Sequence, residues 1–277
     1  MTARQLYFYL FGETQKISGT PRQDAERILE DVCSLSIQRI FSHEYDAEIS
    51  KTQRSRAEEI LAALKNTDTP LALILGKSYF YNKYYHLSSA TLIPRQDTES
   101  LVAACLDAEG PASRRVLELG TGSGIICQTL YEERPLWRIT SLDISPRALF
   151  TAHKNCDVAL CLLASDGLSA LRPLKSFDIL ISNPPYIRSE DIQSLDSSVS
   201  DFEPHTALDG GEDGLDFYRI IATTAPEHMK KGGRLYLEIG WDQKQEVSNI
   251  LSKTGWQNVK CHTDLAGRDR VITACTY

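Results

Sequence analysis

Asn183-Pro184-Pro185-Tyr186 follows an apolar run, Phe177 to Ser182, that reads as a buried strand ending in a rigid turn. Such a turn can hold a planar nitrogen. The Asn183 side-chain oxygen and the Pro184 carbonyl are two neutral acceptors set close together, able to take both N–H bonds of one NH₂ group. Consecutive prolines fix φ and carry no backbone N–H to compete for the incoming donor, so the acceptors need no further ordering. Tyr186 adds a flat face or an edge contact. Asn-Pro-Pro alone is also ordinary turn chemistry. Behind a buried strand and ahead of an aromatic, it points to methyl transfer onto an amide or exocyclic amine nitrogen.

A second constellation lies upstream. Val116 to Leu119 reads as a strand that enters Gly120-Thr121-Gly122-Ser123-Gly124 at the start of a helix, where bare backbone can approach a ligand closely. The dinucleotide fingerprint wants a glycine three residues after the second one, but position 125 is Ile, which disfavours a nicotinamide or flavin dinucleotide. Glu118 would repel a pyrophosphate yet attract the ammonium of a methionine moiety, directly or through water. Asp143, 19 residues after Gly124 and at the end of the next strand, can accept both hydroxyls of a ribose. A plainer reading is a cap for the helix that begins near Pro146, and the two roles need not exclude each other. Asp166, beside Gly167 after the third strand, reaches an adenine amino group or serves as a turn residue. Together these residues fit S-adenosylmethionine.

The elements that must position these groups follow from periodicity. Residues 1–73 read as a helical bundle: Thr20-Pro21 caps a helix carrying Ala25, Ile28, Leu29 and Val32 and ending near Ile40, and a second stripe is Ala57, Ile60, Leu61 and Leu64. Asn66 to Pro70 stops that second helix. Residues 74–94 carry aromatic and β-branched texture around Gly76 and Asn82 and read as a hairpin linker whose aromatics pack the bundle onto the next domain. From residue 95 to 277 strands at 115–119, 137–142, 157–162, 177–182 and 233–239 alternate with helices. Helix 243–254 and two strands, 256–262 and 270–276, close the chain as an antiparallel hairpin at the sheet edge. The fold class is α/β, with ligands bound beyond the carboxyl ends of the parallel strands.

Composition narrows the partners. With 277 residues, 42% of them hydrophobic, the chain can bury a sizeable core. A net charge of −7 and a pI near 5.4 argue against a broad electrostatic footprint for duplex nucleic acid and suit a basic protein partner better. Seven scattered cysteines never spaced Cys-x-x-Cys indicate neither a disulfide framework nor a metal site, and read as reduced core thiols. No apolar stretch suggests a signal peptide or a membrane span, so a cytoplasmic monomer is expected.

These residues carry a resemblance. The chain resembles the bacterial peptide chain release factor glutamine N5-methyltransferases over nearly its whole length, through Leu92-Ile93-Pro94-Arg95-Gln96-Asp97-Thr98-Glu99, the Glu118–Gly124 loop, Asp143-Ile144-Ser145-Pro146 and Ser182 to Ile187. Phe202-Glu203-Pro204, Glu238-Ile239-Gly240 and Gly267 to Val271 extend it. The spacing of Ile-Pro-Arg from Asn-Pro-Pro-Tyr, 89 residues from Pro94 to Asn183, is fairly specific. The resemblance implies a helical domain that docks the release factor, a hairpin linker and a seven-stranded Rossmann-like methyltransferase domain. It further implies transfer of a methyl group to the glutamine of a Gly-Gly-Gln motif. Gln96 stands where the family usually has proline, and Gly167 where some members carry an aromatic beside the adenine. Arg95 is open between a ligand carboxylate and a brace through Asp97 or Glu99, while Glu203 and Asp209 read as carboxylates shaping the cleft, and His205 as structural or exposed. Two other readings stay open here: an adenine-N6 DNA methyltransferase using the same acceptors, and a non-catalytic adaptor.

Overall fold

The computed structural model describes residues Met1 to Tyr277, which form two compact units, Met1–Gly76 and Lys77–Tyr277. In the first unit α1 (Ala3–Thr14) starts on a reciprocal cap: the Thr2 hydroxyl accepts from the Gln5 N–H, and the Gln5 side chain accepts from the Thr2 N–H. Helix α2 (Pro21–Cys33) buries Ala25, Ile28, Leu29 and Val32, the stripe seen in the sequence. It ends seven residues before Ile40, because Ser34 adopts a left-handed conformation (φ 54°) and the Glu30 carboxylate then accepts the Ile37 N–H at 2.6 Å. A short helix, α3 (Ile37–Arg39), runs into a π-helical turn over Ile40–Glu44. Helix α4 (Lys51–Asn66), with a second reciprocal cap from Ser50 and Gln53, packs Ala57, Ile60 and Leu61 against Leu6, Leu10, Ile28 and Leu29. Beyond Pro70 the chain is not yet extended: α5 (Leu71–Leu75) adds a turn of helix, closed by Gly76 at φ 66°.

The second unit opens with the hairpin β1 (Lys77–Phe80) and β2 (Lys83–His86), whose two-residue turn holds Tyr81 and Asn82 at positive φ. Phe80 and Tyr85 are buried in this unit's own core. Next come α6 (Thr98–Ala108), β3 (Arg115–Leu119), α7 (Ile125–Glu133), β4 (Arg138–Asp143), α8 (Pro146–Asn155), β5 (Cys161–Ala164) and β6 (Phe177–Ser182). After β6 follow the short α9 (Ser197–Ser200), α10 (Asp216–Thr224), β7 (Met229–Glu238), α11 (Lys244–Lys253), β8 (Gln257–Thr263) and β9 (Asp269–Cys275). The seven-stranded sheet has the order β5-β4-β3-β6-β7-β9-β8, parallel as far as β7, with β9 antiparallel to both neighbours.

Alternate residues of the central strands enter different apolar layers. Val116, Ile179, Ile181 and Tyr236 join Leu101, Val102, Cys105, Ile126 and Leu130 of α6 and α7. Leu117, Leu180, Leu235 and Leu237 join Tyr218 and Ile221 of α10 and Val247 and Leu251 of α11. The sheet is therefore covered on both faces, as its continuous apolar strands require. No helix is long and apolar enough to cross a membrane. All seven cysteines are free thiols, and Cys161 is exposed rather than in the core. Leu180 is fully buried at the centre of the sheet; Leu180→Ala should lower the unfolding free energy by about 2–5 kcal/mol in urea titration.

Candidate active site

The register of β3 with its two neighbours decides what meets at the carboxyl edge of the sheet. Leu119 lies opposite Leu142 of β4 and Ser182 of β6, so the segments that begin at Gly120, Asp143 and Asn183 leave the sheet at one level. The Gly120 and Thr121 N–H groups both donate to the Leu142 carbonyl, at 2.8 and 3.1 Å. Gly122 donates to one oxygen of Asp143 and Ser145 to the other, each at 2.8 Å. Asp143 thus ties the glycine loop to the end of β4, with lone pairs left on both oxygens. It does not cap the following helix; the Ser145 hydroxyl does so by accepting from the Ala148 N–H.

Gly120, Gly122 and Gly124 all take positive φ (80°, 53° and 82°), which only glycine adopts freely. Their purposes differ. A Cβ on Gly120 would stand 3.6 Å from the Asn183 carbonyl oxygen, whereas one on Gly124 would meet the Cys156 sulfur at 2.6 Å and Ala152 of α8. The third glycine serves helix packing.

A cavity of about 480 Å³ opens at this edge, within the range of cofactor-sized sites. Gly120, Thr121, Gly122 and Ser123 border it from β3, Asp143 from β4, Asp166 and Gly167 from β5, and Asn183, Pro184 and Pro185 from β6. Glu118, Gly124 and Tyr186 are not on its wall. Asp166 is exposed at the rim, and so is His205, in the helical turn His205–Ala207. Phe217 and Ile220 of α10 border the same cavity as Gly167, so an aromatic ring is present although position 167 has none.

Glu118 lies fully buried in β3, directly below the glycine loop. Its register partner Ser141 donates a hydroxyl to one carboxylate oxygen, and Thr121 shares that hydroxyl at 2.7 Å. The other oxygen has no partner. Burial pushes this carboxyl well above its usual range, the nearby Cys127 adding to the effect. A ligand ammonium near the loop would favour the ionised form of Glu118, and bare glycine backbone with a strand-end aspartate suits a nucleoside. The donor set therefore fits S-adenosylmethionine.

The turn after β6 is braced from behind. Asn183 donates its amide nitrogen to the buried Thr98 hydroxyl at 3.1 Å, which leaves the amide oxygen for a ligand. Tyr186 packs against the core and donates its hydroxyl to Glu238 at 3.3 Å, while its carbonyl accepts from the Gln243 side chain at 2.9 Å. Burial lifts the Glu238 carboxyl to about 7, against the opposing pull of Thr98, Arg270 and Tyr186. Arg270, itself buried, pairs with Asp97 at 3.0 Å and Asp264 at 3.4 Å. Arg95 uses neither of its expected braces: it pairs with Glu203, which also accepts the Ile93 N–H at 2.9 Å, whereas Glu99 accepts from the Tyr81 N–H. Glu203 is a buried clamp and not a cleft-facing carboxylate.

Thr98, Glu238, Gln243 and Phe217 were not singled out for a role in the sequence. Thr98 reaches Asn183 across 85 residues of chain, and no local spacing signals that contact. The repeated acidic residue at the end of a strand, Glu118 in β3 and Glu238 in β7, is the one signal that could have drawn attention to Glu238.

Comparison with known proteins agrees with this arrangement. The methyltransferase small domain profile matches residues 96–198. A crystal structure of a methyltransferase from Pyrococcus furiosus shares the fold, with a TM-score of 0.53 over 82% of this chain and 98% of its own at 15% identity. The release factor glutamine methyltransferase of Koribacter versatilis is 37% identical over 91% of this chain and 90% of its own length. That of Clostridium botulinum is 34% identical over the full length of both. By this similarity across the whole chain, the chain belongs to the release factor glutamine methyltransferase family.

Proposed function

We infer that this enzyme transfers a methyl group from S-adenosylmethionine to the N5 amide nitrogen of the glutamine in the Gly-Gly-Gln motif of peptide chain release factors. The observation that carries the reading is Asn183: its amide nitrogen is engaged by Thr98 and its oxygen remains available on the wall of a cavity bordered by the glycine loop. S-adenosylmethionine supplies a methyl group already activated on a sulfonium. What the chain must supply is placement, because an amide nitrogen is a poor nucleophile whose lone pair is delocalised into its carbonyl.

In this reading Asn183 and the Pro184 carbonyl accept the two hydrogens of the substrate amide and fix its nitrogen. Such positioning can remove about 7–11 kcal/mol from a barrier, more than one general base contributes. As positive charge grows on the nitrogen these hydrogen bonds strengthen, which is the differential stabilisation that catalysis needs. Pro185 keeps the turn rigid and free of a competing N–H. Tyr186, with its hydroxyl on Glu238, holds the turn from behind. Gly120 to Ser123 hold the methionine portion with Glu118 buried beneath them, Asp143 holds the ribose, and Asp166 with Gly167 the adenine.

We assign release factor docking to the N-terminal helical unit. In support, the Clostridium botulinum relative matches this chain along its entire length, helices included. An adenine amino group would satisfy the same two acceptors, but membership of the family favours the glutamine amide.

The test is to incubate the enzyme and methyl-labelled cofactor with an intact release factor and with its Gln→Ala variant. Label should enter the first alone; equal labelling of both would overturn the reading. Asn183→Ala should depress kcat by about 100-fold or more with cofactor affinity retained, since it removes one of two acceptors at the reacting centre. Asp143→Ala should weaken cofactor binding about tenfold or more by calorimetry, because it removes charge-assisted hydrogen bonds and loosens Gly122.

A further inference from the structure

Arg95 is the one lysine or arginine among the residues that border the cavity at the carboxyl edge of the sheet. The other ionisable side chains there are Asp143, Asp166, Asp209 and His205. Carboxylates on a wall suit hydroxyls, amines and a sulfonium, and they repel a second anion. The fixed charge of Arg95 is where a negative group on a ligand would be received.

The guanidinium is anchored but not saturated. Its Nη2 donates to Oε1 of the buried Glu203, whose Oε2 accepts the Ile93 N–H at 2.9 Å. Neutralising that buried acid occupies one of the five N–H donors of an arginine, and 40% of the Arg95 side chain stays exposed. The main chain of Arg95 leads toward the reacting end of the cavity. Its carbonyl accepts the Thr98 N–H at 3.2 Å, and the Thr98 hydroxyl accepts from Asn183 at 3.1 Å. The Asn183 carbonyl oxygen in turn lies 3.6 Å from where a Cβ on Gly120 would stand. Two hydrogen bonds and one contact therefore connect Arg95 to the glycine loop.

Neutral donors near this path are already engaged. The Gly120 and Thr121 N–H groups go to the Leu142 carbonyl, that of Gly122 to Asp143 and that of Gly124 to the Thr121 carbonyl. At the start of α6, Thr98, Glu99 and Ser100 donate to the carbonyls of Arg95, Gln96 and Asp97. A carboxylate entering here finds its strongest unsatisfied donors on the guanidinium. S-adenosylmethionine carries one such group, at its methionine end, whereas a glutamine within a chain carries none. We propose that Arg95 binds the α-carboxylate of the methionine portion of S-adenosylmethionine through the N–H groups that Glu203 leaves free. Arg95 thereby distinguishes the cofactor from adenosyl ligands that lack a carboxylate. The assignment rests on the cofactor half of the methyl-transfer reading and supplies what that half lacks, a partner for the negative group of a ligand whose other charges are positive.

The test is calorimetry on the whole enzyme with two ligands, S-adenosylmethionine and its decarboxylated form, which keeps the adenosine, the sulfonium and the amino group. No release factor is needed. The wild type should bind the intact cofactor about tenfold or more tighter than the decarboxylated one, the worth of a charge-assisted hydrogen bond. Arg95→Gln, whose amide can still donate to Glu203, should lose that preference while binding the decarboxylated ligand no more than about twofold more weakly than the wild type does. Arg95→Lys keeps the charge and should retain part of the preference. Three results would overturn the assignment: a wild type with no preference, a preference undiminished in Arg95→Gln, which would place the carboxylate on backbone donors, or equal weakening of both ligands in Arg95→Gln, which would make Arg95 a brace alone. The expected discrimination in an enzyme that leaves release factors unlabelled would sustain the role of Arg95 and sink the proposed methyl acceptor. A wild type that binds neither ligand would sink the cofactor reading and this assignment together.

Discussion

The alignment of β3 with β4 on one side and β6 on the other is the constraint on which the site depends. Side chains alternate along a strand, so a slip of one residue would send Glu118 to the opposite face and separate it from Ser141. The pairing is specified by what each face must bury. Val116 and Ile179 belong to one apolar layer, Leu117 and Leu180 to the other, and no shifted register satisfies both. With that register fixed, the Ser182 hydroxyl reaches the Leu119 carbonyl at 2.8 Å and the Asn183 carbonyl comes within van der Waals reach of Gly120. The glycine loop and the Asn183 turn are thereby neighbours before any ligand arrives.

At the turn after β6, Asn183 and Pro184 border the cavity, while Glu238 lies buried behind them. Arg270, Asp97 and Asp264 form a partly buried network under the turn, and burying a charge is tolerable only when it is paired. The division has a chemical reason. A carboxylate in place of Asn183 would hold an amide's hydrogens more strongly in the ground state too, and would attract the cofactor's positive charge away from its own site. Neutral oxygens bind weakly at first and gain as charge develops.

Much of this was legible in the sequence, for identifiable reasons. The runs 115–119 and 177–182 are strands whose two faces are both buried, so their apolar character is uninterrupted and their ends are marked by glycine or proline. Other features depend on contacts between distant segments. The end of α2 at Cys33 is set by Ser34 and by the Glu30 carboxylate reaching Ile37, and helical spacing alone continues past it. Leu71–Leu75 has the apolar texture of a strand, and a turn of helix results because Pro70 starts it and Gly76 stops it. Arg95 offered Asp97 and Glu99 as nearby partners and instead found Glu203, more than a hundred residues away. Tyr186 reads as an aromatic beside a substrate, yet its hydroxyl is drawn inward by Glu238 and its carbonyl by Gln243.

That inward pull explains how a turn with two prolines can be rigid when it has so few hydrogen bonds of its own to give. Pro184 and Pro185 donate nothing, so the segment must be held through its acceptors and through the packing of other backbone against it. Gln243, buried at the start of α11, donates to the carbonyls of both Tyr186 and Gly214, and accepts from the Gly240 N–H. Residues 187 and 209 form a parallel bridge, and the Gly210 N–H donates to the Ile187 carbonyl at 2.8 Å. A Cβ on Gly210 would meet the Tyr186 Cα at 2.8 Å, and one on Gly214 the Tyr186 carbonyl oxygen at 2.5 Å. The glycines of the 210–214 loop are therefore part of the turn's support: they let a second stretch of main chain lie directly on the first. Rigidity imported this way leaves the Asn183 oxygen and the Pro184 carbonyl uncommitted, which a turn stabilised by its own internal hydrogen bonds could not do.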